Sequence, residues 1–427
     1  MAALRALPRE ELAEDLLSRS PSELAELLSR LGDDALAEIV AELDPADAAR
    51  LLGKLSRAQA AALLEEMDPD DAVDIAGELE DDDAEAIFIE MNPHDVEELR
   101  RLMNYPPDSA GGIMTTDYVA ISPDLTADEA LVALRAVAEE AETIYYIYVT
   151  DPATNRLLGV LSLRNLVLTR PETPVRDLMV TEIVKTRVDA DQEEAVRLLD
   201  RYGLLALPVV DEEDRLVGII TADDAASVLM EEAGEDIERL GGSQPLEEPY
   251  LRASILHLVR KRLPWLLILF VGGAYTGTVI AAFEETISQV VALTFFIPML
   301  IGTGGNAGSQ IVTTLVRALG MGEVNLGHLG RVLWREVRVA ALLGTAMGIA
   351  TYIRAWTLGV GVEIGPVVAL STVTIVLWAA IVSSLLPLLI SRTRIDPAVV
   401  STPFITTLVD GTGLLIYFVI ASRLLGI

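Results

Sequence analysis

The chain has 427 residues, no cysteine, and 65 acidic against 32 basic side chains, so it carries a net charge of −33 although 51% of its residues are hydrophobic. Lack of thiols excludes a disulfide scaffold, a thiolate metal site and cysteine catalysis. An anionic surface of this size repels a nucleic-acid backbone and favours cationic partners.

The charge is unevenly distributed. Residues 1–250 hold 58 acids and 20 bases, a net −38, whereas residues 251–427 hold 7 acids and 12 bases, a net +5. The first part reads as an acidic soluble region and the second as an apolar membrane region. Met1–Leu17 already contains Glu10, Glu11, Glu14 and Asp15, so no basic, apolar signal peptide is expected at this end.

Residues 20–103 repeat with a period of 24: Asp44-Pro45, Asp68-Pro69 and Asn92-Pro93 mark one register, and Leu31, Leu55 and Leu79 a second. Asp or Asn before Pro is a helix-start signal, because the side chain caps and Pro suits the first turn. Segments such as Ala58–Glu66 and Asp70–Glu78 carry helix formers with apolar residues on one face. Two short helices per repeat predict a small all-α solenoid, ended by Tyr105-Pro106-Pro107 and a hinge at Gly111-Gly112.

Residues 113–230 contain an internal duplication. The first copy has Ile113-Met114, a helix at Ala127–Ala138, a strand at Ile144–Val149 and a return strand at Leu158–Leu163. The second has Leu178-Met179, a helix at Gln192–Tyr202, a strand at Ala206–Val210 and a return strand at Val217–Thr221. Each copy reads strand, helix, strand, strand, helix, with Gly in the return strand. This order resembles paired CBS domains, which implies an α/β regulatory module that commonly dimerises. Gly241–Leu263, with Pro245 and Pro249, then links this module to the apolar region.

A helix needs about 20 apolar residues to cross a bilayer. Leu263–Phe283 and Thr286–Val316 are free of charge, a third span centres on Val339–Ile353, and Ile364–Ser391 and Pro397–Ser422 supply two more. Five spans place the ends of the region on opposite sides. Arg260, Lys261 and Arg262, then Arg331, Arg335 and Arg338, then Arg392 and Arg394 all fall on one face, which the positive-inside rule makes cytoplasmic. The acidic part is expected on that side and the C-terminus outside, in a multi-pass inner-membrane protein.

One charge lies within the fifth span: Asp410. A carboxylate at mid-bilayer costs roughly 2.5–3.5 kcal/mol on insertion scales, so it needs a cation, a proton or water. Pro403, Gly411 and Gly413 bracket it, which places freed carbonyls near a pore; a protonated Asp bonded to a neighbouring helix is the alternative. Gly302-Thr303-Gly304-Gly305-Asn306-Ala307-Gly308 interrupts the second span. No Gly-Lys-Ser/Thr follows it, so it is not a phosphate loop. It reads either as irregular backbone lining a wet cavity or as a close-packing surface. Residues 263–427 contain one His, His328, and oxygen-rich sites of this kind suit magnesium, calcium or manganese as a class.

These motifs, together with Glu140–Val149 and Asp396-Pro397-Ala398 leading to Leu408-Val409-Asp410-Gly411-Thr412-Gly413-Leu414, resemble the MgtE family of magnesium channels and transporters. The resemblance covers nearly the whole chain. It implies a homodimer with the pore at the dimer axis between spans two and five, a hydrated Mg2+ held at Asp410, Asp396 near the cytoplasmic mouth, and Asn306 lining the pore. It also implies regulatory Mg2+ at Glu38, Asp70 and Asp74 on the repeat and at Asp191, Glu193, Asp224, Glu232, Glu235 and Asp236 in the CBS part. High cytoplasmic Mg2+ would then close the pore through a connecting plug helix. Gly203 and Ser227 stand where relatives carry Asp, and Thr402 replaces an Asn near the pore.

The resulting expectation is a multi-domain membrane protein with an all-α repeat at 1–108, tandem CBS domains at 109–240, a connecting helix at 241–262 and a five-helix pore domain at 263–427. It takes Mg2+ into the cytoplasm and has Mg2+, the lipid bilayer and a second copy as partners. Two other classes stay open. A proton- or sodium-coupled carrier of Co2+, Mn2+ or Mg2+ would also use Asp410, with Glu336 available for coupling. A membrane-tethered nucleotide sensor would bind ATP at the CBS pair, where Thr221 and Asp223 lie at frequent ribose-contact positions. No hydrolase or transferase constellation is present, so no enzyme is expected.

Overall fold

A computed structural model describes residues 8–138, 141–246, 249–360, 362–392 and 399–427. The chain forms two compact units, residues 1–232 and 233–427.

Eight short helices open the first unit: α1 (Arg9–Ser18), α2 (Pro21–Leu31), α3 (Asp33–Ala41), α4 (Pro45–Leu52), α5 (Arg57–Glu65), α6 (Pro69–Gly77), α7 (Asp81–Phe88) and α8 (Pro93–Leu102). The 24-residue period therefore holds two helices, as its double register predicts. Ser20 and Ser56 form reciprocal capping boxes with Glu23 and Gln59, which satisfies backbone donors that a helix start leaves open. Leu36, Ile39, Leu51, Leu63 and Ile75 fill a continuous core along the stack.

The duplication forms two three-stranded sheets, each with its helices. The first copy contains β1 (Tyr118–Ile121), α9 (Ala127–Val137), β2 (Thr143–Thr150), β3 (Leu157–Ser162) and α10 (Leu163–Leu168). The second contains β4 (Thr186–Arg187), α11 (Gln192–Tyr202), β5 (Ala206–Val210), β6 (Leu216–Thr221) and α12 (Ala222–Leu240). In each sheet the middle strand pairs parallel with the first and antiparallel with the third.

The copies are interleaved. Thr115, near the start of the first copy, exchanges both backbone bonds with Ile219 of β6 at 2.9 Å, and Val180, near the start of the second, does the same with Val160 of β3 at 2.9 and 3.0 Å. The return-strand glycines explain themselves here. A Cβ on Gly218 would lie 2.6 Å from the Met114 sulfur, and one on Gly159 would lie 2.6 Å from the Met179 sulfur. Each glycine is the socket for a methionine that leads into the other copy.

Gly111 and Gly112 differ from the expected open hinge. Gly111 donates to the Val188 carbonyl at 3.0 Å, and a Cβ there would meet Val188 at 2.7 Å and the Tyr105 ring at 2.8 Å. Close approach, rather than freedom, is what these glycines supply.

The second unit holds α13 (Ile255–Ala282), α14 (Glu284–Gln289), α15 (Ile297–Gly320), α16 (Leu329–Leu358), α17 (Ile364–Ile390) and α18 (Thr402–Leu425). Among the described residues, five helical segments, Ile255–Ala282, Val291–Gly320, Leu326–Leu358, Ile364–Ile390 and Thr402–Leu425, are long and apolar enough to span a membrane. The helix expected at 241–262 is displaced: α12 extends to Leu240, the described residues between it and Ile255 are not helical, and α13 begins at Ile255.

Gly302–Gly308 lies inside unbroken α15, so the close-packing alternative describes its backbone. A Cβ on Gly304 would sit 2.6 Å from Ile375, one on Gly305 2.8 Å from Thr406, and one on Gly308 2.8 Å from Ile405. These absent side chains let α17 and α18 approach the α15 backbone. Likewise Pro403 opens α18 and Gly411 and Gly413 continue it, so the carbonyls around Asp410 remain in the helical ladder.

Gly159→Val and Gly218→Val each force a methionine out of its socket. Each is expected to cost about 1–3 kcal/mol or more, as overpacked cores do. Thermal denaturation of the detergent-purified chain checks this, with Gly203→Asn, at a solvent-exposed helix end, as the mild control.

Candidate functional site

Val73 and Leu102 of the helical repeat pack into the core of the second CBS copy with Leu199 and Leu207. On α6, Asp70 lies one turn before Val73 and shares its face, while Asp74 follows Val73 directly and borders that face. Burial of Val73 therefore carries two carboxylates against the acidic start of α12.

Glu142, Asp223 and Asp224 meet there, each offering one carboxylate oxygen within 4.8 Å of the others. The Thr221 hydroxyl donates to the Asp224 carboxylate. Asp70 Oδ1 and Glu142 Oε2 are both shut off from solvent with no hydrogen-bond partner. Asp68 completes the group. Its repeat equivalents Asp44 and Asn92 cap α4 and α8 through bonds to Ala46 N and His94 N, but Asp68 makes no such bond and lies close enough to Asp223 for mutual repulsion.

The carboxyl groups are correspondingly hard to ionise. Desolvation raises Asp70 well above the usual carboxylate range, followed by repulsion from Asp224 and Glu142. Desolvation and then Asp224 push Glu142 up to about 8. Asp74, exposed at the rim, is pushed to about 6 by desolvation and then by Glu231 and Asp224. Asp224 is raised chiefly by desolvation. A group of like charges in a poorly solvated place needs protons or a cation.

The sequence-derived regulatory acids divide. Asp70, Asp74 and Asp224 come together, whereas Glu38 is an exposed residue of α3. Asp191 caps α11, accepting from Glu193 N at 2.9 Å, and the Glu193 carboxylate pairs with Arg197. Glu232 accepts from Gln192 Nε2 at 2.8 Å, and Glu235 pairs with Arg239 at 2.5 Å. In the second unit, a Cβ on Gly320 would lie 3.7 Å from the Asp236 carboxylate. Gly203 ends α11 with φ 60°, a conformation that disfavours a side chain; Ser227 is exposed on α12. Asp68, Glu142 and Glu231 are the acids that sequence reasoning did not single out.

In the second unit, Asp410 is half-buried in α18. Its Oδ1 has no partner and lies 3.4 Å from where a Gly305 Cβ would be. One turn away, the Ser309 and Thr406 hydroxyls are 3.2 Å apart. Asn306 is exposed on α15, with Gly302 and Gln310 one turn to either side and also exposed. Thr402 begins α18, and its carbonyl accepts from Thr406 Oγ1. Asp396 lies outside the described residues.

Comparison with known proteins follows the same three-part order. Residues 2–108 match the MgtE intracellular N domain, 110–171 and 175–231 the CBS domain, and 297–420 the MgtE divalent cation transporter domain. The magnesium transporter MgtE of Thermus thermophilus is 44% identical over 328 residues, covering 77% of this chain and 72% of the relative. The chain belongs to the MgtE family. The MgtE of Bacillus subtilis is 40% identical over 75% of this chain and 70% of its own length, and that of Enterococcus faecalis 37% identical over 76% and 71%. A crystal structure of the soluble part of a magnesium transporter superposes with a TM-score of 0.50 at 31% identity, covering 54% of this chain and 90% of that one. Membership places this MgtE chain among membrane transporters, a non-enzyme class.

Because Asp70, Asp74, Glu142 and Asp224 have raised pKa values, their protonation favours the packed form. This contribution is complete below the ordinary carboxylate range near pH 4 and is lost as pH rises through about 6 for Asp74 and about 8 for Glu142. In metal-free buffer, amide exchange in α6 is expected to accelerate between pH 6 and 8.5 beyond the intrinsic rate increase, and Glu142→Gln is expected to flatten the upper part of that rise.

Proposed function

We propose that this MgtE-family chain forms a homodimeric Mg2+ channel that admits the ion to the cytoplasm and closes when cytoplasmic Mg2+ fills the acidic cluster. The observation that carries the reading is Asp410: a carboxylate oxygen without a protein partner, midway along a membrane helix and set against glycine. An intramembrane carboxylate of this kind is expensive unless it serves a cation or water. Magnesium keeps several of its waters and is held through few carboxylates, which suits one Asp from each of two copies.

Exposure of Gly302, Asn306 and Gln310 on one stripe of α15 supports a second copy, since a polar amide stripe facing hydrocarbon is unfavourable. Arg260, Lys261 and Arg262 in the first turns of α13, Arg331 near the start of α16 and Arg392 after α17 fit a cytoplasmic N-terminal region and an outside C-terminus. The boundaries 1–108, 109–240 and 263–427 serve as working domain limits, with the connecting helix placed in the later part of α12. Asp396 and Asn306 are assigned to the pore together with Asp410.

Regulation follows from the cluster. Mg2+ among Asp70, Glu142, Asp223 and Asp224 would relieve the repulsion that opposes packing of the repeat on the CBS pair, and a ligand that binds the packed form better shifts the population toward it. Glu38, Asp74, Asp191, Glu193, Glu232, Glu235 and Asp236 complete the proposed regulatory set. Thr221 and Asp223, considered from sequence for a ribose of ATP, serve the cation reading here: the hydroxyl supports Asp224 and the carboxylate faces Glu142.

Asp410→Ala and Asp410→Asn are expected to abolish Mg2+ entry into proteoliposomes and rescue of a magnesium-dependent strain; normal rescue by either overturns the pore assignment. In patch recordings with Mg2+ varied on the cytoplasmic side, Glu142→Gln is expected to raise the concentration needed for closure by about tenfold, the scale of losing a supporting group at a metal site. An unchanged closing concentration counts against Glu142 as part of the sensor.

A further inference from the structure

α18 is held from two sides at consecutive residues. Asp410 lies over Gly305 of α15, while a Cβ on Gly411 would stand 2.5 Å from Cδ1 and 2.8 Å from Cε1 of Tyr275 on α13, with Thr276 Oγ1 at 3.1 Å. Consecutive helical residues are about 100° apart around the axis, so the tyrosine ring and the α15 backbone press on different faces of one turn. Gly411 is buried, whereas Tyr275 is 46% exposed. The ring thus has one side on the α18 backbone and the other open.

The same pair of helices is tied elsewhere. Trp265 Nε1 donates to Ser401 Oγ at 3.0 Å, and its ring lies 6.2 Å from that of Phe404. A Cβ on Gly272 would be 2.7 Å from Thr407 Cγ2. Positions 401, 404, 407 and 411 form the α13 face of α18, and 405, 406, 409 and 410 approach α15. Rotating α18 to redirect the Asp410 carboxylate would therefore drive Gly411 into, or away from, the Tyr275 ring.

We infer that Tyr275 is a positioning residue for the conducting site: its ring, seated on Gly411, fixes the rotation of α18 and so the direction of the Asp410 carboxylate, on which discrimination among divalent ions depends. The inference rests on the reading of Asp410 as the pore carboxylate. A truncated ring leaves a notch into which α18 can turn, and a methyl on Gly411 turns it the other way. Either change misplaces a carboxylate whose selectivity requires a preorganised position.

Proteoliposomes containing the full chain, with Mg2+ and Mn2+ influx measured separately and normalised to inserted protein, test this. Tyr275→Ala and Gly411→Ala are each expected to lower the Mg2+/Mn2+ influx ratio by roughly tenfold, the scale at which a slightly misplaced functional group loses effect. Tyr275→Phe keeps the ring and should keep the ratio. The double variant Tyr275→Ala/Gly411→Ala, in which the methyl occupies part of the vacated space, should recover much of it. Wild-type ratios in both single variants, or a double variant no better than the worse single, overturn the inference. Asp410→Asn separates the two claims. If it blocks influx while Tyr275→Ala leaves the ratio unchanged, only the positioning role fails; if it conducts normally, the pore assignment fails and the inference with it.

Discussion

Repulsion among carboxylates brought together by apolar packing governs the first unit. Val73 gains by entering the core of the second CBS copy, and Asp70, one turn away on the same face, and Asp74, next to it in the chain, must follow. They arrive beside Glu142, Asp223 and Asp224, where partial desolvation makes the charges of Asp70, Asp74, Glu142 and Asp224 costly. Two opposing forces are thus built into one contact: hydrophobic burial, which is indifferent to ions, and charge repulsion, which divalent cations and protons both relieve. Neither an all-apolar contact nor a fully solvated acidic surface would respond in this way to protons or divalent cations. Asp68 shows how far the local structure is adjusted to this end. Its counterparts in neighbouring repeats cap helices, while it gives up that bond and joins the cluster.

The membrane unit handles charge differently. Among the described residues no ion pair is made by Asp410; its buried Oδ1 has no hydrogen-bond partner and lies beside the Gly305 backbone. Gly304, Gly305 and Gly308 bring α15 against α17 and α18, so the carboxylate rests on a helix that presents no side chain there. Trp378 donates to Thr412 at 2.9 Å and Tyr417 to the Leu293 carbonyl at 3.0 Å, anchoring α18 beyond the carboxylate. The polar atoms of these large rings are satisfied, as burial in an apolar bundle requires. Among the described residues of this unit, Asp410 Oδ1 is the buried carboxylate oxygen without a partner, a lack it shares with the Ser383 and Ser384 hydroxyls.

Much of this organisation was legible in the sequence. The Pro-marked 24-residue period gave the paired helices, and the repeated strand order gave both CBS sheets. Charge-free runs located the five spans; their ends shifted because a helix continues beyond the hydrocarbon, as α13 does through Arg260, Lys261 and Arg262. The glycine run and the Gly111-Gly112 pair were harder. Glycine signals either freedom or close approach, and only a neighbour such as Ile375 or Tyr105 decides between them. Asp70, Asp74 and Asp224 were reached through family resemblance, but Glu142 and Asp68 were not. Their membership depends on how a strand start and a helix start meet across sequence separations that no local pattern encodes.

The interleaved CBS copies cannot be divided without exposing both sheets. Met114 fills the socket in the second half and Met179 the one in the first, so neither half closes its own sheet surface. A chain severed between the copies would yield fragments that complete each other only by reassociation. A larger side chain at either glycine would be felt by a methionine in the opposite half of the duplicated segment. The tandem is therefore one packed unit, however clearly its sequence reads as two.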